Sequence, residues 1–403
     1  MININKKKIW LFGILIFIWI NSGSVIQAIY SSELQKVLCV VGVLLLINDI
    51  YRERTITLPR NLAGIFILWL GTSSLICIIL WGEYSQILLY FANFAVFYIC
   101  YKITVYIEKE LFINAFINVI TLFAAISIVG WIFTDVILNS GVGIHLSRYM
   151  DYRSFLFFNI ITTASNRNSG AFWEPGMFQG FLNFALLLLA TKTSIKKTDY
   201  IRAAIIVWAI ITTYSTTGYL VLMCIVVLFF YKRLHIRLNY LADVILVFFL
   251  IYFILGGGSY IIQLLTPILP KDILWKIETQ NISYTTRIYS VVYDIVLSIR
   301  NPFGVGRLQV DNALSQMVIQ YGYNINARTS AISTAFLNFG FGFGLYYLFL
   351  WVVGCFRFSK SDVGTFALVL TSMLMILNSE PMLFHMFFSC IMFYWLAEKK
   401  RKE

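Results

Sequence analysis

Three short stretches set ionisable groups among prolines, glycines and aromatic residues at the edges of apolar runs. In SNRNSGAFWEPGMFQGFLNFALLLL, residues 165–189, Arg167 is followed by Trp173, Glu174 and Pro175 just before the chain turns continuously apolar. NSEPMLFHMFF repeats the Glu-Pro pair at Glu380 and Pro381 and adds His385. YTTRIYSVVYDIVLSIRNPFGVGR holds Arg287 near its start and Arg307 at its end. A carboxylate or an imidazole can take a proton from a hydroxyl. A planar guanidinium grips a phosphate-like anion through paired hydrogen bonds. Glu174 is the leading proton acceptor, with Arg167 or an arginine of the later stretch as its charge partner. The alternative is that Glu174 merely favours the positive end of a helix dipole, with Pro175 in the first turn. Gly170, Gly176 and Gly180 leave room beside it for another backbone or a ligand. His385 is expected about one turn into a helix, where a lone histidine serves packing as readily as catalysis.

The elements that must hold these groups are membrane helices. Hydrophobic residues make up 60% of the 403 and charged residues only 12%, and mean hydropathy is +0.80, the balance of a polytopic membrane protein. The apolar runs are continuous, without the period-two alternation of a barrel. The expected fold is therefore all-α, one transmembrane helical bundle over residues 1–403. At about 20 residues a crossing, about twelve spans are expected: 9–29, 34–50, 61–81, 86–106, 111–133, 170–190, 201–213, 217–231, 240–256, 331–353, 363–378 and 382–396. The pair within 201–231 reads either as two short helices broken at TTYSTTGY or as one long tilted helix.

Lysines and arginines are held on the cytoplasmic side of membrane proteins. With two short crossings in 201–231 and both termini cytoplasmic, 21 of the 31 basic residues face inward, including KKK at 6–8 and KKRK at 399–402. Two long loops, about 134–169 and 257–330, then fall outside. Nine basic residues lie in or beside them against the bias: Arg148, Arg153, Arg167, Lys271, Lys276, Arg287, Arg300, Arg307 and Arg328. They point to an anionic partner at the outer surface, or else to outer-leaflet phospholipid and loop ion pairs with Asp151, Asp272, Glu278, Asp294 and Asp311. In the second loop Ile288, Val291, Val292, Ile295, Val296 and Ile299 recur at helical spacing, while Arg287, Asp294 and Ser298 leave the other face polar. An amphipathic helix along the membrane surface is expected there, ended by NPFGVG. The net charge of +12 reflects topology and contact with membrane lipids, and no nucleic-acid partner is expected.

No D-x-D, H-E-x-x-H or P-loop pattern occurs, so no metal, no cofactor and no nucleotide-driven transport is expected. The six cysteines sit in or at the ends of spans without C-x-x-C spacing, which gives neither a disulfide nor a zinc framework. The basic, apolar N-terminus is read as an uncleaved first helix. A secondary carrier would share the hydropathy, but the spans show few charges at mid-membrane depth and no paired broken helices.

Four segments taken in order, RNSGAFWEPGMFQGFL, TTYSTTGYLVL, TRIYSVVYDIVLSIRNPFGVG and FLNFGFGFGLYYLFLW, resemble the O-antigen and capsule polysaccharide polymerases (Wzy-type) of the O-antigen ligase/polymerase superfamily. The resemblance spans most of the chain. It implies a GT-C-like bundle and a metal-independent membrane glycosyltransferase working at the outer face of the cytoplasmic membrane. Such an enzyme joins oligosaccharide repeat units carried, as donor and acceptor alike, on undecaprenyl diphosphate. In that chemistry Glu174 would either accept the acceptor's hydroxyl proton or orient Arg167, with Arg167 and Arg287 at the leaving diphosphate. Arg153, Arg307, Arg328, Trp173, Glu380 and His385 would bind substrate. A chain-length regulator and a flippase would be partners. Two departures matter. RTSAIST at 328–334 lacks the histidine that related ligases carry before the late helix, which argues against an O-antigen ligase, and Ser215-Thr216 replaces the usual serine-arginine at the helix break. The competing function is a lipid-linked oligosaccharide flippase or transporter.

Overall fold

The computed structural model describes residues 2–53, 62–147, 150–155, 157–233, 281–321, 330–360 and 362–397. Arg148, Lys271, Lys276, Arg328 and the expected span 240–256 lie outside them. The described helices are, in chain order, α1 (Ile2–Ile20), α2 (Val25–Ile29), α3 (Ser31–Glu53), α4 (Leu62–Trp81), α5 (Ile87–Tyr106), α6 (Lys109–Ile132), α7 (Thr134–Ser140), α8 (Pro175–Ala190), α9 (Lys197–Thr212), α10 (Thr216–Arg233), α11 (Asn281–Arg300), α12 (Val310–Tyr321), α13 (Ala331–Phe339), α14 (Phe341–Phe358), α15 (Val363–Ser379) and α16 (Met386–Leu396). Six of them, α3, α4, α5, α6, α10 and α14, are long and apolar enough to cross a membrane, and the described chain is mostly helical, consistent with an all-α membrane protein.

Two short helices occupy the middle. Every residue of α8 except Gly176 is buried, and so is every residue of α16. A helix that is apolar all round belongs in an interior. Accordingly α8 packs against α6, α9, α10 and α15, and α16 against α5 and α14. Phe387 of α16 stands 5.1 Å from Phe181 of α8 and stacks on Phe116 of α6 at 4.0 Å.

Residues 201–231 form two helices and not one long one. At the end of α10, Lys232 and Arg233 donate to the carbonyls of Thr191 and Lys192, where α8 ends and before α9 begins, so α10 runs back antiparallel to α9. The turn between them passes through Tyr214 at φ 48°. This end of the bundle also holds Lys192 and Arg202, both on Asp199 at 3.1 and 3.0 Å.

Elsewhere the structure corrects the expected elements. The span expected at 9–29 stops at Ile20, because Gly23, at φ 98°, turns the chain and offers its carbonyl to the Trp173 N–H at 3.0 Å. The span expected at 331–353 is broken at Gly340, φ 92°, where a β-carbon would stand 2.0 Å from the Pro302 carbonyl oxygen. Glu380 ends α15 instead of opening the last helix, so His385 is the N-cap of α16 and does not lie a turn inside it. The first long loop is not wholly irregular; it contains a three-stranded antiparallel sheet of β1 (Ile144–Ser147), β2 (Asp151–Ser154) and β3 (Asn159–Ile161).

The helix expected from periodicity is present as α11, with its polar stripe buried. Ser290, Asp294 and Ser298 are buried while Val292 and Ile299 are exposed. A buried polar side chain needs a hydrogen-bond partner. Asp294 accepts a hydrogen bond from Ser333 Oγ of α13 at 2.6 Å.

Gly340 supplies a direct test of this packing. Alanine there meets both the positive φ and the Pro302 backbone, each of which costs on the order of 1–3 kcal/mol. Gly13 of α1 has nothing within 4 Å of a β-carbon, and alanine in a helix gains about 1 kcal/mol over glycine. Thermal unfolding in detergent should therefore show Gly340→Ala well below the wild type and Gly13→Ala at or above it. Equal midpoints for the two variants would contradict the break at Gly340.

Candidate functional site

At the end of the bundle opposite Lys192 and Lys232, the connections 21–24, 82–86, 170–174, 301–309 and 380–385 are tied together. Trp81 Nε1 donates to the Gly304 carbonyl at 3.1 Å, and the Phe387 N–H donates to Ser22 Oγ at 3.0 Å. Between them opens a cavity of about 440 Å³, inside the range of roughly 300–1,000 Å³ common for small-molecule sites.

The wall of this cavity is amide-rich. Asn21 follows α1, Gln27 comes from α2, Gln35 from α3, Asn93 from α5, and Thr334 and Asn338 from α13. Among the described residues its ionisable lining is Arg307, Asp311 and His385. Neutral hydrogen-bonding groups with one fixed cation and a carboxylate suit a hydroxyl-rich molecule bearing an anionic group.

Local structure explains how each ionisable group arrives there. α11 ends at Arg300, and the Gly304 N–H closes a turn on the Asn301 carbonyl. The Val305 N–H then donates to the Leu337 carbonyl of α13 at 2.9 Å, which brings the exposed Arg307 to the cavity. Asp311 follows in the first turn of α12. His385 is buried, and its Nδ1 has no hydrogen-bond partner among the described residues. Burial lowers the imidazole's pKa to about 3, so the ring is neutral near pH 7.

A second group of predicted residues adjoins the cavity without lining it. The Trp173 ring stands edge-on to His385, centroids 5.9 Å apart, and its Nε1 donates to Glu174 Oε1 at 3.1 Å. Glu174 is the N-cap of α8 and its carboxylate makes no capping hydrogen bond, so that position offers it the helix dipole alone. It forms no ion pair among the described residues, and the expected partnership with Arg167 is not made. The Tyr152 hydroxyl is pushed up to about 12, first by burial and then by the charge of Glu174. Glu380 is buried beside the first turn of α8, where a β-carbon on Gly176 would stand 2.0 Å from its Oε1.

The remaining predicted residues go elsewhere. Arg167 Nε donates to the Thr213 carbonyl at 3.3 Å, in the turn between α9 and α10. The neighbouring Asn168 anchors that placement through Ser127 Oγ and Thr212 Oγ1, at 3.0 and 2.9 Å. Arg153 sits on β2 opposite His145, and its Nη1 reaches the Gly141 carbonyl at 3.4 Å. Arg287 falls within α11, and Arg328 lies outside the described residues. Sequence reading nominated Arg307 and His385 but treated Asp311 only as an ion-pair partner, although it stands four residues after Arg307 at a helix start. It passed over Glu83 and the amides altogether, since a lone polar residue inside or between apolar spans carries no spacing signal. No family model, curated protein or solved structure matches the chain.

Proposed function

We propose that the protein is a membrane glycosyltransferase that extends a surface polysaccharide by joining lipid-diphosphate-linked oligosaccharide units, with the cavity as its active site. Supporting this reading is one observation above the rest: a cavity walled by amides and hydroxyls, with Arg307 and Asp311 on its lining, at the end of an apolar bundle. In the proposed step the acceptor hydroxyl oxygen attacks the anomeric carbon of the donor sugar. The bond from that carbon to the diphosphate oxygen breaks, and the lipid diphosphate leaves with the electron pair. Arg307 holds the leaving charge, and Asp311 takes the hydroxyl proton. Neutral His385 and the amides orient sugar hydroxyls. Glu174 acts behind them by fixing Trp173 against His385. Under this proposal the chain lies in a bacterial cytoplasmic membrane with its termini inside, its cavity faces outward, and the acceptor and donor are both undecaprenyl-diphosphate-linked.

A carrier is the second reading, favoured by an ion pair of Asp49 and Lys102 buried between α3 and α5. Glycan length on cells lacking the chain separates the two. Loss of a polymerase leaves single repeat units on the surface acceptor, whereas loss of a flippase removes surface glycan altogether. Normal long chains on those cells would dismiss both.

A further inference from the structure

The glycine-rich loop NPFGVGR has the form of an anion cradle, and its anion is already present as part of the chain. Glu83, in the turn between α4 and α5, is completely buried. Its Oε1 accepts from the Leu308 N–H at 2.6 Å, and its Oε2 accepts from the Arg307 N–H at 3.1 Å and from the Tyr90 hydroxyl at 2.5 Å. Successive backbone N–H groups beside glycines of positive φ make a concave nest for negative charge. Here Gly304 and Gly306 supply φ 89° and 72°. A β-carbon on Gly306 would stand 2.8 Å from Glu83 Oε1, so only glycine lets the carboxylate seat.

From this geometry we infer that Glu83 is a positioning residue for Arg307: it occupies the nest, clamps 304–308 to the α4–α5 turn, and so aims the Arg307 side chain at a diphosphate in the cavity. The inference rests on the diphosphate reading of that cavity. It also divides labour within the loop. The backbone N–H groups of Arg307 and Leu308 are spent on Glu83, so the loop meets a substrate phosphate through the guanidinium and not as a phosphate cradle. A carboxylate is required because charge-assisted hydrogen bonds are roughly twice as strong as neutral ones, and because glutamine has one acceptor oxygen where three donors converge.

The experiment uses the full chain in lipid nanodiscs, with farnesyl diphosphate as the probe. Arg307→Ala should weaken binding about tenfold or more, the scale of one charged hydrogen bond. Glu83→Gln should weaken it similarly. The double variant should bind no worse than Arg307→Ala alone, because the two residues act as one unit. In parallel, hydrogen exchange should speed up at 304–308 in Glu83→Gln and in Gly306→Ala, while α5 and α16 keep their protection and report an intact fold. Unchanged exchange at 304–308, or effects of the two single variants that multiply in the double, would overturn the positioning role. A wild type that does not bind the probe would sink the diphosphate reading instead, and exchange would still decide whether Glu83 holds the loop.

Discussion

Asp311→Asn should reduce chain extension by about a hundredfold to ten-thousandfold, the usual loss when a general base is removed, while Glu174→Gln should stay within severalfold of wild type. The contrast follows from where the two carboxylates stand. Asp311 is on the cavity lining in the first turn of α12. Glu174 is half-buried behind Trp173, where among the described residues its carboxylate accepts the indole N–H. An amide oxygen can still accept that bond, so glutamine keeps the Trp173 contact. An amide cannot take a proton from a hydroxyl, so asparagine at 311 cannot replace the base. Rates of conversion of purified lipid-linked units, at equal membrane levels of each variant, provide the check. Loss in Glu174→Gln with retention in Asp311→Asn would return the proton-accepting role to Glu174.

The second large effect lies at the other end of the bundle and concerns stability. Lys102 is ion-paired with Asp49, the Tyr98 hydroxyl donates to the same carboxylate, and both charged side chains are at most 5% exposed. Removing one member leaves a buried charge uncompensated, which costs about 3–5 kcal/mol, whereas replacing both by apolar side chains of similar volume is often nearly neutral. Lys102→Ala should therefore lower the unfolding midpoint in detergent markedly, and Asp49→Leu with Lys102→Met should recover most of the loss. Under the polymerase reading the double variant still extends chains. A double variant that folds well but leaves cells without surface glycan would instead favour a carrier that moves charge through this pair.

Much of the bundle was legible because the signals were local. TTYSTTGY breaks the helix where its small polar residues fall, and the periodicity of 288–299 gave α11. The errors share a different origin, in contacts between residues distant in sequence. FGFG at 341–344 reads as continuous span, but the chain breaks one residue earlier because the Pro302 carbonyl presses on Gly340. The periodicity of α11 did not say what its polar face would meet, and Ser333, 39 residues away, is what Asp294 finds. The site follows the same rule. Arg307 and His385 were conspicuous as charged or titratable groups beside apolar runs. Glu83 bonds to a backbone 224 and 225 residues further on, and Asn21, Gln27 and Asn93 become one amide-rich lining only when α1, α2 and α5 converge.

The central claim is that this chain forms glycosidic bonds at that cavity, and reconstitution tests it most directly. Lipid-linked repeat units isolated from cells lacking the chain are mixed with the purified protein in liposomes, and products are resolved by length alongside released polyprenyl diphosphate. The account predicts a ladder at whole multiples of the repeat unit, with one polyprenyl diphosphate released per linkage and the ladder lost in Asp311→Asn. Units that remain single, whether they stay in place or cross the bilayer, would contradict it.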